Sequence, residues 1–243
     1  MRILPLKQEL IQFLGSGDFY LWEYYGEGVL GKILAWVFRS RIKVLMRFLR
    51  QTHLKPRMIL DAGCGPMFTS YSLVTNETGE YIGVDIMPAD RLKKYRDAMR
   101  KIGVETVEAV RASTESLPFR NGIFDFALSL DVLEHLSKPR EGAMEICRVA
   151  RNGGMVAVSL PLENFFQRLS RIGFILMKIA GKPVPKRVSI TRTPEYHYSG
   201  DVKSYNGMVE VLKGIFSSLH TRYTPIGFRR SININAVHIF QKK

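Results

Sequence analysis

Met58-Ile59-Leu60-Asp61-Ala62-Gly63-Cys64-Gly65-Pro66 decides how this chain is read. Three consecutive apolar residues follow Lys55-Pro56-Arg57 and run into an acid and two glycines one residue apart, the pattern of a buried strand ending in a tight turn. At the carboxyl edge of a doubly wound sheet such a turn brings backbone up to a nucleoside ligand. Glycine is needed there because the turn takes unusual dihedrals and a Cβ would block the ligand. A Gly-x-Gly pair alone is weak evidence, since many are ordinary turns. The downstream residues strengthen it. Tyr81-Ile82-Gly83-Val84-Asp85 reads as a second strand ending in an acid 20 residues after Gly65, where a carboxylate can accept both hydroxyls of a ribose. Phe124-Asp125-Phe126-Ala127-Leu128-Ser129-Leu130 reads as a third buried strand. Asp131-Val132-Leu133-Glu134-His135 follows, then a helix closed by Asn152-Gly153-Gly154 and the strand Met155 to Leu160.

In this order and with these gaps, Leu60-Asp61-Ala62-Gly63-Cys64-Gly65, Val84-Asp85, Ser116-Leu117-Pro118-Phe119, Phe124-Asp125, Val132-Leu133-Glu134-His135 and Gly153-Gly154 resemble the class I S-adenosylmethionine-dependent methyltransferases. The resemblance covers roughly residues 57–160. A dinucleotide-binding oxidoreductase is the rival, but it would want a third glycine at Phe68, where the helix must approach a pyrophosphate. The resemblance implies an α/β, Rossmann-like doubly wound sheet, mostly parallel, with one antiparallel strand near the C-terminus. It also implies S-adenosyl-L-methionine as cofactor, and no metal.

By the same resemblance the turn residues Asp61, Ala62, Gly63, Cys64 and Gly65 receive the donor, with Asp61 beneath its methionine part. Asp85 takes the ribose hydroxyls, Ile86 packs on adenine, and the backbone near Leu130 borders the methionine moiety. Ser113 and Thr114 edge the base. Ser113 stands where the family usually has an Asp, and Glu115 is the substitute acceptor nearby. A sulfonium methyl is already a strong electrophile, so holding donor and acceptor in line is most of the task. Where the acceptor must lose a proton, His is the usual base. His135, after the fourth strand, and His197, within Tyr196-His197-Tyr198, are the catalytic candidates. A structural role is the alternative for His135 and an exposed loop position for His197.

Composition bounds the rest. At 243 residues with 46% hydrophobic residues the chain is long and apolar enough for one globular domain. Its expected parts are an N-terminal helical cap (1–56), a cofactor-binding core (57–163), a basic amphipathic insertion or lid after the fifth strand (164–200) and a C-terminal helix and hairpin (201–243). Cys64 and Cys147 are too few and too badly placed for a disulfide framework, so a cytoplasmic setting is expected. No run reaches the ~18 apolar residues of a membrane span, and Pro5, Lys7 and Glu9 break any secretory pattern.

The net charge of +14 is unevenly spread: +6 over residues 1–58, −3 over 59–163, +6 over 164–200 and +5 over 201–243. Positive charge outside the core points to an anionic partner, a membrane surface or nucleic acid, with plain solubility as the alternative. The aromatics Phe13, Phe19, Tyr20, Trp22, Tyr24 and Tyr25 either fold over the donor or pack as ballast. Residues 30–49 read as an amphipathic helix. Leu30, Ile33, Leu34, Val37, Leu45 and Phe48 lie on one side, and Lys32, Arg39, Lys43, Arg47 and Arg50 on the other, with Arg41 out of place. In the insertion, Phe165, Leu169, Ile172, Leu176 and Ile179 form a stripe flanked by Arg168, Arg171, Lys178 and Lys182, suited to an interfacial helix or a substrate lid.

The expected function is methyl transfer to a small-molecule or lipid-like acceptor, with the protein peripheral at a membrane. The alternatives are an RNA methyltransferase gripping phosphates through its basic flanks, and a non-catalytic donor-binding scaffold. Two nucleobase chemistries are disfavoured. The Pro-Pro-aromatic motif of amino-directed enzymes is replaced by Leu130-Asp131-Val132-Leu133, and neither cysteine stands where a pyrimidine-attacking thiolate would.

Overall fold

The computed structural model describes residues 4–5, 7–26, 28–74, 79–162, 201–202, 204–226, 233 and 235–242. The insertion expected at 164–200, His197 included, lies outside the described residues. Three N-terminal helices, α1 (Lys7–Leu14), α2 (Phe19–Tyr25) and α3 (Gly28–Gln51), precede the sheet. The chain then runs β1 (Met58–Ala62), α4 (Ser70–Leu73), β2 (Glu80–Asp85), α5 (Ala89–Lys101), β3 (Val107–Arg111) and β4 (Phe124–Leu130). A 3₁₀ turn at Leu133–His135 leads to α6 (Pro139–Val149) and β5 (Ala150–Pro161). The C-terminal part is α7 (Tyr205–Ile215), β6 (Phe216–Thr224) and β7 (Asn235–Lys242).

The seven strands lie in the order β3-β2-β1-β4-β5-β7-β6. β1 to β5 pair in parallel, and β7 is inserted antiparallel between β5 and β6. This is the expected doubly wound sheet with one antiparallel strand. β1 and β4 read as near-continuous apolar runs because both of their faces are covered. Alternate residues feed two cores. Ile59, Phe126, Leu128 and Ile239 pack with α1, α3 and α5, while Leu60, Ala127, Val156 and Phe240 pack with α6 and α7. Asp125 fixes the start of β1. One of its carboxylate oxygens accepts from the Arg57 and Met58 N–H groups at 2.8 and 2.9 Å, and Arg151 pairs with the other at 2.7 Å.

Helix α3 departs in part from its expected wheel. Val37 and Leu45 are buried as expected, but Ile33 is exposed, together with Trp36 one turn on. Arg41, the cation out of place on the apolar side of the wheel, is 4% exposed. Its guanidinium stacks on Phe38 at 4.8 Å and pairs with Asp131, the first residue after β4. Asp131 also accepts from Ser159 of β5 and, at 2.9 and 3.1 Å, from the Asn235 amide of β7. One buried cation therefore ties the N-terminal cap to the ends of three strands.

Removing one member of a buried pair leaves the other uncompensated, so Arg41→Met is expected to destabilise the fold by about 3–5 kcal/mol in urea unfolding. Arg41→Met combined with Asp131→Asn should cost measurably less than the two single changes summed. Simple additivity would mean that the two side chains are not coupled.

Candidate active site

The turn after β1 is shaped by two glycines with positive φ, +84° at Gly63 and +50° at Gly65. A Cβ on Gly63 would lie 2.2 Å from a Val132 methyl, so only glycine lets the segment after β4 lie against this turn. The ring of Tyr20 from α2 sits 3.7 Å from where a Gly65 Cβ would be. Tyr24, one helical turn on, meets Phe68 edge-to-face at 5.3 Å. Tyr20 and Tyr24 thus pack on the turn and on the residues that follow it.

Asp61, at the end of β1, is buried and accepts from the Tyr81 hydroxyl. Ala62 and the Cys64 side chain are buried too. The Cys64 sulfur packs over Gly83, which leaves backbone as what residue 64 offers a ligand. Asp85 ends β2 and holds the loop, its two oxygens accepting from Gly65 N and Met87 N at 3.0 Å each. Each oxygen keeps a further lone pair for a ligand hydroxyl. Ile86 beside it is 71% exposed, an apolar side chain standing open at the carboxyl edge.

Ser113 accepts from Glu115 N at 3.1 Å and so caps its own turn. Thr114 is buried, with its methyl 3.7 Å from the Cβ position of Gly142 on α6, so its side chain packs inward. Glu115 accepts from Lys138 N at 2.7 Å at the start of α6. Leu130 is half-buried against the core. His135 is half-exposed in the 3₁₀ turn, its Nε2 3.9 Å from a Glu134 oxygen. The structure thus gathers Asp61, Gly63, Gly65, Asp85 and Ile86 at one edge.

The sequence reading missed Arg41, Asp131 and Glu134. Asp131 takes a left-handed conformation, φ +56°, unusual outside glycine but tolerated by Asp. Glu134 is 1% exposed, and neither of its oxygens has a hydrogen-bond partner. The signal for Arg41 was its misplacement on the wheel. For Glu134 the sequence carried none beyond its motif position.

Residues 60–158 match the family of methyltransferase domains. An uncharacterised methyltransferase of Mycobacterium sp. (strain KMS) is 36% identical over 103 residues, 42% of this chain and 38% of that protein. An uncharacterised methyltransferase of Mycobacterium tuberculosis is 34% identical over 115 residues, 44% of this chain and 42% of that protein. The matches therefore span about two fifths of these relatives. Among solved structures, the [4+2]-cyclase SpnF superposes with a TM-score of 0.61 at 18% identity, covering 84% of this chain and 81% of that one. A putative sarcosine dimethylglycine methyltransferase from Galdieria sulphuraria also gives 0.61, at 14% identity and 85% and 86% coverage. Residues 60–158 form a class I S-adenosylmethionine-dependent methyltransferase domain.

The methyltransferase domain fits its family's donor on its own geometry. The remaining acceptor capacity of Asp85 and the uncovered Ile86, next to the glycine turn, are what a nucleoside requires of a site: partners for ribose hydroxyls and an apolar platform for the face of the base. The thiol of Cys64 is pushed well up by burial, which leaves it no nucleophilic role.

Two carboxyls beneath the site are displaced by burial, Asp61 from 3.8 to about 7 and Glu134 from 4.5 to about 8. Tyr81 opposes the first shift; the Arg41 field and the Glu134 backbone N–H oppose the second. A raised folded-state value means that stability is full below the unfolded value and is lost as pH climbs through the folded one. The methyltransferase domain should therefore lose stability from about pH 4 to pH 8. Asp61→Asn is expected to flatten the curve between about pH 4 and 7, and Glu134→Gln up to about pH 8, read by urea unfolding across pH. Asp85→Ala is expected to lower S-adenosylmethionine affinity at least ~100-fold in calorimetry, the loss of two charge-assisted hydrogen bonds. Asp85→Asn, which keeps an acceptor oxygen, should lose less.

Proposed function

We propose that this chain transfers the methyl group of S-adenosylmethionine to a small-molecule or lipid-like acceptor. The observation that carries this reading is the aromatic and basic cap over the donor turn. Tyr20 stands over Gly65, and Arg41 reaches from α3 to the carboxyl end of β4. A site roofed this closely by its own chain suits an acceptor that can be enclosed.

When bound, S-adenosylmethionine supplies an electrophilic methyl on sulfur. The protein's part is placement and exclusion of water. Gly63 and Gly65 let the backbone close on the donor, Asp85 accepts its ribose hydroxyls, and Ile86 gives the adenine an apolar platform. Asp61, beneath the turn, faces its methionine part. His135 and, beyond the described residues, His197 remain candidates for proton transfer. Ser113, with Thr114, edges the base in this reading through its remaining hydroxyl capacity.

The reading places the protein at an anionic membrane surface through residues 164–200. Helix α3 supports it. Ile33 and Trp36 are exposed one turn apart, with Lys32 and Lys43 exposed on the same helix. A tryptophan among lysines suits the headgroup boundary. Among the described residues no helix is long and apolar enough to cross a membrane.

The test incubates cell lysate with the full chain and methyl-labelled donor, with Asp85→Ala as the blank, and separates organic, nucleic-acid and protein fractions. Label in the organic fraction is expected. Label in nucleic acid would instead make the basic flanks a phosphate grip, with steep salt dependence. Donor binding with no label in any fraction would favour the scaffold reading.

A further inference from the structure

Most of the carboxyls around the donor turn have their partners within the chain. Asp61 has the Tyr81 hydroxyl, Asp85 has two backbone N–H groups, and Asp131 has Arg41, Ser159 and Asn235. Glu134 is the exception, since both of its oxygens are buried and neither is hydrogen-bonded. A buried polar group without a partner is unfavourable, and in a native protein it calls for an explanation. The Glu134 backbone belongs to the stretch that joins the two halves of the site. Two residues before it, Val132 lies against Gly63 of the donor turn. Three residues before it, Asp131 holds Arg41 of the cap.

We propose that Glu134 takes the proton that the acceptor loses, and that the acceptor presents an acidic hydroxyl, phenolic or enolic, to the turn after β4. This rests on the methyltransferase reading. As the acceptor oxygen bonds to the methyl carbon, the carbon–sulfur electron pair withdraws onto sulfur, the O–H bond breaks and its proton passes to the Glu134 carboxylate. The sulfonium charge is thereby lost, the carboxylate is neutralised, and one O–H has become one O–CH₃.

The charged groups around Glu134 suit this role. Arg41 of α3 approaches without bonding to it and is occupied by Asp131, and His135 of its own turn stays 3.9 Å away. Burial, opposed by the Glu134 backbone N–H and by the Arg41 charge, leaves the carboxyl near 8, poised to exchange a proton close to neutral pH. A phenol, with a pKa of about 10, lies within reach of such a base, whereas an alkyl alcohol is far too weak an acid. Neutral Glu134 is also isosteric with glutamine, so Glu134→Gln tests the proton and not the packing.

The test needs no acceptor. S-adenosylmethionine and S-adenosylhomocysteine share adenosine, ammonium and carboxylate and differ in the sulfonium charge. Each is bound to the full chain at pH 7 by calorimetry in buffers of different ionisation enthalpy, which counts the protons released. A sulfonium beside Glu134 should drive off its proton. The wild type is expected to release about half a proton or more with S-adenosylmethionine beyond that with S-adenosylhomocysteine. Glu134→Gln should bind both ligands and abolish that difference. Asp61, which faces the shared ammonium end in this reading, should respond alike to the two ligands and cancel. Equal release in the wild type would place Glu134 away from the reacting centre and overturn the inference. So would a difference that survives in Glu134→Gln, since the proton would then belong to another group such as His135. Failure of both ligands to bind would instead remove the methyltransferase reading itself.

Discussion

One buried cation organises the candidate site. Arg41 is buried on the apolar side of α3, where a lone cation would be unfavourable, because Asp131 stands at the end of β4 to receive it. The exchange is local in energy and wide in consequence. Asp131 is also bonded to Ser159 and Asn235, so the ends of β4, β5 and β7 and the N-terminal helices share one electrostatic knot. The Tyr95 hydroxyl, donating to Asp18 at 2.8 Å, and Arg91 over the Tyr20 ring hold the start of α2 to α5, and the knot adds the placement of α3. Together these contacts set Tyr20 over the glycine turn, and the roof becomes part of the site.

The same low-dielectric setting separates the carboxyls into classes. Asp85 spends its oxygens on loop N–H groups and keeps capacity for a ligand. Asp131 is neutralised by a cation. Among the described residues Asp61 and Glu134 have no cation hydrogen-bonded to them and are pushed by burial towards the neutral form, each from the ordinary carboxylate range to near physiological pH. Carboxyls whose environments diverge this far within one site are the usual arrangement where one group binds and another handles protons. In the reading proposed here Asp61, bonded to Tyr81, is of the first kind and Glu134, with no partner, of the second.

How much of this the sequence carried depends on the range of the interaction. The run Met58 to Gly65, the acid at Asp85 and the apolar stretch 124–130 are local patterns, and the strands and turns they announce are where the structure has them. The antiparallel strand near the C-terminus followed from the family resemblance and not from periodicity; its place between β5 and β6 is legible in neither. The helical wheel of α3 put Arg41 among apolar residues without naming the partner 90 residues away that receives it, and it failed at Ile33, whose exposure is set by the lie of the cap on the sheet. The place of Thr114 in its loop is legible, but that its methyl lies 3.7 Å from the Cβ position of Gly142 is not. No sequence pattern reports which way a loop side chain turns.

Fold and function part at this point. The same architecture is found in a protein described as a [4+2]-cyclase and in a putative sarcosine dimethylglycine methyltransferase, so the sheet alone selects no reaction. In the reading proposed here, what selects it is the residue set of the turn after β4. In this chain that set is polar and unevenly satisfied, with a neutralised Asp131 next to an unpartnered Glu134. An acceptor with no proton to lose, such as a tertiary amine, would gain nothing from a carboxyl poised near neutrality. An acceptor with an acidic hydroxyl would supply the hydrogen-bond partner that Glu134 lacks before the reaction and give up its proton to the same atom during it. The bond missing from the protein alone is the one that such a substrate would bring.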